Sequence, residues 1–537
     1  MYRQFFFLFF SLLFLLACSV DEHPKDQIEE DEVYTSENAI YQNVIEPIYS
    51  LIGGNVDGQG LQGTCRGVYD LQTFASDEAL LPTRGVDWYD GGLWQALYKH
   101  SWTAGHVVVK NAWLYLYKVI TMCNRALETI DKHKEIMTML AYQRNIAELK
   151  AIRSVFYFYL LDLFGRVPFV EKSNLPLSEV TQLQRSHLFS MIIYDLNSVL
   201  KTLPDRMSQQ KGGYYGHITL PVAIFVLAKL YLNAEVYYDD DWTDDIRPDG
   251  GKMEFMINDK KMNAWEATVY WCDLIEQMQY KLEPDYSNNF HVNNHYSFEN
   301  IWTIPMDQYM LSSEQQNIFR SLHSRHAAAN GFPGENGTSA TLTVLEVNGF
   351  GTPQQDKRFD LNYWGDVATD YNSMIVKDRN GKPLKYMPKA IKMDLSDSPY
   401  MEMAGARMKK YEVDIDASNG GKLMDNDIVL FRFADVLLMK AEALVRNGQN
   451  GQKEFDRIRE RAGMPMKKAT LDNIYDERLI ELAWEGWRRN DMIRFNKYKS
   501  LYDGTDAVNE NDHHTIVFPI PNVVVTLNNN ISQNPGY

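Results

Sequence analysis

Apolar residues recur every three or four positions through most of this chain, the spacing of amphipathic helices packed on a shared core. Ile40, Val44, Ile48 and Leu51 follow Ser36, a residue suited to capping a helix, and Gly53-Gly54 closes the segment. Leu116, Ile120, Cys123 and Leu127 mark a second helix over 113–130, and a long third one over 136–164 stops at Gly165. Further helical runs are predicted over 188–200, 221–236 and 264–280. From 284 to 426 the period gives way to Gly, Asn, Pro, Ser and aromatic residues, which predicts loops and short strands. Helical spacing returns over 428–446, 453–462 and 473–496. The pattern is mostly α: helix pairs in a tetratricopeptide-like array, without a clean consensus repeat, around a large irregular loop and short-strand region. It divides into 34–283, 284–426 and 427–537.

The first residues follow a different pattern. Arg3 precedes an apolar run from Phe5 to Ala17. At about 1.5 Å of rise per residue this run falls short of a roughly 30 Å hydrocarbon core and reads as a secretory h-region, residues 1–17. Leu15-Leu16-Ala17-Cys18 looks like a bacterial lipobox, in which the cysteine is acylated and becomes the mature N-terminus. Ser19, Asp21 and Glu22 resemble an acidic signal for export to the outer face of the outer membrane. Residues 18–33 are acidic and polar, as suits a lipidated tether, and multiple acyl chains hold a protein to a bilayer where one would be reversible.

Charge narrows the partners. Lys and Arg total 54 against 71 Asp and Glu, a net charge of −17, and no basic stripe offsets it, so nucleic acid is excluded. Besides Cys18 the cysteines are Cys65, Cys123 and Cys272, with no Cys-x-x-Cys pair, so neither a zinc motif nor a disulfide is expected. Cys123 and Cys272 read as core filler.

Catalytic patterns fail one by one. Gly58, Gly60 and Gly63 match the dinucleotide glycine spacing but follow a helix rather than a strand and open no apolar helix, which leaves a glycine-rich turn. Glu477, Glu481 and Glu485 lie four apart among Arg478, Arg488 and Arg489, an arrangement for ion-paired helix packing rather than a glycosidase dyad. Asp239-Asp240-Asp241 with Asp244-Asp245 lacks the glycine and terminal glutamate of a calcium loop and reads as solvated. The sequence predicts no enzyme, no metal and no cofactor.

One stretch carries a positive signal. In SDEALLPTRGVDWYDGGLW, Pro82, Gly85, Gly91 and Gly92 bracket a loop presenting Arg84, Asp87, Trp88, Tyr89 and Asp90. An aromatic face beside paired polar groups is how proteins hold a pyranose. Trp88 is either such a platform or packed beneath its own loop; the residues alone leave both open.

That stretch, the lipobox and the blocks AWLYLYKVITMCNRALETI, ELKAIRSVFYFYLLDLFGRVPFV, ITLPVAIFVLAKLYLNAEVY, VLFRFADVLLMKAEALVRNG, ERLIELAWEGWRRNDMIRF and FPIPNVVVTLNNNISQNPGY, in this order, resemble the SusD/RagB family of surface nutrient-binding lipoproteins. The resemblance spans essentially the whole chain. It implies a mostly helical SusD-like fold, no catalysis, and capture of oligosaccharide or, in the RagB branch, peptide. It also implies a partner, a SusC-like TonB-dependent outer-membrane transporter that the protein covers as a lid. Within the family's pattern the ligand-site positions are Asp57, the loop of Arg84, Asp87, Trp88 and Tyr89, and Asn294 with Tyr296. Arg432 with Glu442, or Arg478 with Glu481, are expected to tie helices together. The Trp88-Tyr89 pair favours glycan over peptide. A surface glycoside hydrolase would need separated carboxylates in one cleft, and a tetratricopeptide adaptor would place these aromatics inside helix pairs.

Overall fold

The computed structural model describes residues 33–498 and 513–537, other than 245 and 312. The segment 1–17, the Cys18 lipobox and all but the last residue of the 18–33 tether lie outside the described residues.

The longer helices are α1 (Val68–Phe74), α2 (Val107–Lys132), α3 (Met139–Phe164), α4 (Arg185–Val199), α5 (Leu220–Leu232), α6 (Ala264–Glu276), α7 (Phe433–Arg446), α8 (Gln452–Arg461), α9 (Leu471–Glu481) and α10 (Arg488–Arg494). Neighbours in sequence pack as pairs: α2 on α3, α3 on α4, α5 on α6, and α7 on α8, with α6 also against α7. Helix α2 is amphipathic and buries Val109, Trp113, Leu116, Ile120 and Cys123 along one side. The C-terminal half of α3, from Ala151 to Phe164, is buried all round, as is α5 from Pro221 onward. These two helices form the centre of the molecule. Gly165 ends α3 at φ +66°, a conformation that favours glycine. Cys65, Cys123 and Cys272 are buried free thiols.

Ser36 caps the first short helix, its Oγ accepting from Ala39 N at 3.2 Å, and a π-helical turn follows at Tyr41–Ile45. That turn and the short helix after it, Glu46–Tyr49, aim two hydroxyls at one carboxylate of α3. Tyr41 and Tyr49 donate to Glu148 at 3.2 and 2.5 Å, and His217 Nδ1 lies 3.1 Å from the same group while its ring stacks on Tyr49.

Two helical expectations are corrected. Ile428–Arg432 is a strand, not the first turn of a helix, and pairs antiparallel with Asn300–Ile304. All five of its residues are buried, so its continuous apolar run serves two faces of a central strand rather than one helix stripe. The predicted 473–496 helix is two helices, α9 and α10, separated by a turn in which Trp484 and Gly486 take φ +63° and +74°. The irregular stretch holds short elements, including Ala79–Leu80 paired with Ser339–Ala340, and Tyr363–Trp364 paired with Arg407–Met408.

A buried ion network joins that stretch to the C-terminal helices. Glu481 accepts from Arg358 at 2.7 Å, from Arg432 at 2.6 Å, and from Arg461. Glu477 takes Arg358 at 2.6 Å and Arg459 at 2.5 Å, while Glu485 takes Lys410 at 2.6 Å and Arg432 at 2.8 Å. The three glutamates are thus ion-paired, but to different partners from those expected. Arg478 bonds Asp435 and Asp491, Arg488 bonds Asp77, and Arg489 bonds Asp162. Neither Arg432–Glu442 nor Arg478–Glu481 forms; Glu442 is held instead by Arg494 and Arg446. The one-turn spacing on a helix suggested local pairing, whereas the network is built across elements far apart in sequence.

Candidate functional site

The glycine-rich turn is where the site begins. Gly58, Gly60 and Gly63 adopt φ of +79°, +84° and +103°, and Gly58 N donates to Cys65 O at 2.7 Å. The chain folds back on itself, so Arg66 returns beside Asp57. Arg66, itself left-handed at φ +58°, donates its amide to Asp70 at 2.5 Å on α1. Its guanidinium bridges Asp57 at 2.7 Å and Asp90 at 3.1 Å. Partial burial works against the charge, but the hydrogen bond and field of Asp57, with Asp90, hold Arg66 above its ordinary value.

Two tryptophans back this bridge. Trp94 is buried, donates Nε1 to Asp90 at 2.9 Å, and lies 5.7 Å beneath the Arg66 guanidinium. Trp88 meets Trp94 edge-to-face at 6.2 Å and donates Nε1 to Glu335 O at 2.9 Å. A Cβ at Gly337 would come 2.8 Å from the Trp88 ring, so glycine is what lets the ring lie against this segment. Burial raises the Glu335 carboxyl above its ordinary range, partly offset by Arg320. The result is one surface with an acceptor–donor–acceptor row, Asp57, Arg66 and Asp90, beside an indole. Such a row matches adjacent sugar hydroxyls, and an indole matches the apolar face of a ring.

The predicted positions divide. Asp57, Asp87 and Tyr89 are exposed, with Tyr89 at 58%. Trp88 is half-buried, between the two readings left open by the sequence: at φ +62° its indole lies against Trp94 and Gly337. Arg84 is buried and donates to Met401 O, and to Ser339 Oγ and Ala404 O at 2.9 Å each, so it ties two segments together rather than facing a ligand. Asn294 is buried too. It donates to Asn289 O and Asp427 O and accepts from Asp427 N, which commits its amide to the scaffold. Tyr296 is 73% exposed beside His295. Among the described residues no hydrogen bond, ion pair or ring contact joins Tyr296 to the Trp88 loop.

Sequence reasoning missed Arg66, Trp94 and Glu335 as members of the site, and the tip carrying Tyr309. Asp307 Oδ1 accepts from Tyr309 N and Met310 N at 3.0 Å, turning out a ring that is 85% exposed. The same loop donates Glu314 N to Gly54 O at 2.7 Å, which sets it against the turn of Asp57. The positive-φ glycines were the available signal for Arg66; nothing local marks Glu335 or Tyr309.

Two family models match the chain: one described as the SusD family over residues 351–537, and one described as starch-binding, associating with outer membrane, over 72–232. Both matched segments are SusD-like. Its curated relatives include the starch-binding protein SusD of Bacteroides thetaiotaomicron, 24% identical over 90% of this chain and 88% of that protein. SusD-like protein P25 of Formosa agariphila is 25% identical, covering 89% of this chain and 86% of that protein. Among solved structures, a laminarin-binding SusD-like protein superimposes with TM-score 0.69 at 20% identity, covering 94% of this chain and all of that one. Surface glycan-binding protein A of Bacteroides thetaiotaomicron in complex with laminarihexaose gives 0.68 at 17% identity, with 93% and 99% covered. Within this SusD-like chain, Trp88, Asp90 and Trp94 fall inside a matched segment, whereas Asp57, Arg66, Tyr309 and Glu335 fall outside both.

Proposed function

We propose that this chain is a non-catalytic glycan-capture protein of the outer-membrane surface, anchored by acylated Cys18, that hands oligosaccharide to a SusC-like TonB-dependent transporter. The observation that carries the reading is the Asp57–Arg66–Asp90 row fixed against Trp88 and Trp94. Both aspartates spend an oxygen on one guanidinium, an arrangement for hydrogen bonding rather than proton transfer. The SusD-type relatives, including starch- and laminarin-binding proteins, support the same choice. Tyr89, beside Asp90 on the same loop, adds a further, exposed ring. The test is titration of purified protein with maltoheptaose and laminarihexaose by calorimetry, beside Arg66→Ala. Saturable binding of at least one, lost in the variant and without any shortening of the sugar, is expected. Binding of both sugars unchanged by Arg66→Ala moves the site elsewhere.

A further inference from the structure

A second cleft, of about 530 Å³, opens in the irregular region between the 409–416 strap and the 369–373 turn. The short helix Asn317–Ser321 separates it from Trp88. On the Trp88 side Gly337 N donates to Arg320 O at 2.7 Å; on the other, Met408 N donates to Ser321 Oγ at 2.8 Å, and Ile318 and Leu322 line the cleft.

Its chemistry differs from that of the first site. The floor is Ile318, Leu322 and Met408, all buried, and the walls rise through Val413 to exposed Leu361 and Ile415. Aliphatic groups offer nothing to a sugar hydroxyl. The one indole here, Trp364, already has the Lys409 ammonium 4.3 Å from its ring centre and the His326 ring at 4.7 Å in a T-shaped pair. The rim is acidic. Asp370 uses Oδ1 to accept from Asn372 and Met374 amides, leaving Oδ2; Glu412 uses Oε2 for Val292 N, leaving Oε1. The Asp416 carboxylate makes no hydrogen bond among the described residues and is exposed. Against these, Lys409 already donates to Asp360 O at 2.7 Å, and Lys410 is buried on Glu485.

We propose that this cleft docks a peptide segment of a partner protein in which aliphatic side chains alternate with lysine or arginine. The aliphatic groups fill the floor, and the cations meet Asp370, Glu412 and Asp416. Charge complementarity favours this occupant over an acidic one, and the aliphatic floor favours it over a glycan, although Tyr371 also lines the cleft with an exposed ring.

The test uses the full chain in nanodiscs of neutral lipid, with binding to empty discs subtracted. Three capped, fluorescein-labelled hexapeptides are titrated by anisotropy, alternating Leu-Lys, Ser-Lys and Leu-Glu. Leu-Lys is expected to bind saturably and at least tenfold tighter than the other two. Ile415→Ser and Asp416→Ser, both at exposed positions, should each weaken it at least fivefold, and Trp88→Ala should leave it unchanged. The proposal is overturned if Ser-Lys binds as well as Leu-Lys, which would be mere attraction to a net charge of −17. It is equally overturned if both cleft variants bind Leu-Lys normally, if Leu-Lys shows no saturation, or if Ile415→Ser abolishes binding of laminarihexaose instead. Failure of glycan binding in Arg66→Ala bears only on the first site.

Discussion

Replacing Trp88 with alanine separates a platform from a strut. The indole donates Nε1 to Glu335 O and meets Trp94 edge-to-face, so part of the substitution falls on stability. A net hydrogen bond contributes about 0.5–1.5 kcal/mol and an aromatic pair about as much again, together about 1–3 kcal/mol. With an unfolding entropy of about 2 cal/mol/K per residue over roughly 500 residues, that is only about 1–3 °C in Tm. The ligand term is larger in its readout. Stacking on a flat ring contributes about 1–3 kcal/mol, hence a five- to 150-fold loss of glycan affinity. Trp88→Phe keeps an aromatic face and loses only the Nε1 bond, so it should lower Tm slightly while retaining most of the affinity. Calorimetric titration with laminarihexaose and scanning calorimetry on both variants measure the two quantities separately. If Trp88→Ala lowers Tm as expected but binds within twofold of the parent, the ring is a strut and the site lies off it.

Gly337→Ala should act on the same ring from behind: its Cβ would meet Trp88 at 2.8 Å, and a displaced indole should weaken glycan binding several-fold with an overpacking cost of about 1–3 kcal/mol, read by the same two assays. Glu481→Gln removes the charge that Arg358, Arg432 and Arg461 share, and leaving those guanidinia under-compensated should cost about 3–5 kcal/mol in denaturant unfolding; a change below 1 kcal/mol would mean water already reaches them. Stability should peak on the acid side of neutrality. Burial lifts Glu78 and Asp427 to about 7, so the folded state gains stability as pH falls from above 7 towards 5 and these groups take protons. Burial opposes the charge of Glu442 and Asp435 too, but Arg494 and Arg478 hold them at about 2, so their contribution is present above about 4 and lost as pH falls towards 2. Asp427→Asn should flatten the rise between pH 7 and 5 in a Tm–pH series, and an unchanged slope would refute the assignment. Cys18→Ala should release the protein from the outer-membrane fraction; a variant that still sediments there and still takes up a labelled fatty acid contradicts the lipobox.

What the sequence revealed followed the range over which each force acts. Helices declared themselves where one face is polar, as in α2, because periodicity records that asymmetry within a few turns. The period blurred where burial is complete: Ile428–Arg432 carries the same apolar letters as a helix, and its strand partner sits over a hundred residues away. The break at Trp484 went unseen because a left-handed tryptophan has no local signature; Glu78 Oε1 accepts its amide from across the molecule. At the site, exposure was legible for Asp57, Asp87 and Tyr89, whose surroundings are turn formers. It misled for Arg84 and Asn294, since a buried polar side chain looks like a surface one until its carbonyl partners arrive from distant segments. The same distance hid Arg66's second aspartate and the 335–337 segment that receives Trp88.

The buried ion network also limits how this protein can change. Arg358, Arg432 and Arg461 each touch two or more carboxylates, and Glu477, Glu481 and Glu485 each touch two or more cations. Any single charge lost there strands its neighbours without water, so most one-step substitutions fall into a stability deficit that only a second, simultaneous change repairs. The turns bearing Tyr89 and Tyr309 carry no such debt: these side chains face solvent and can be exchanged one at a time. Mutational paths toward a new ligand therefore run through the rim, while the arginine-bound interior keeps the frame that presents it.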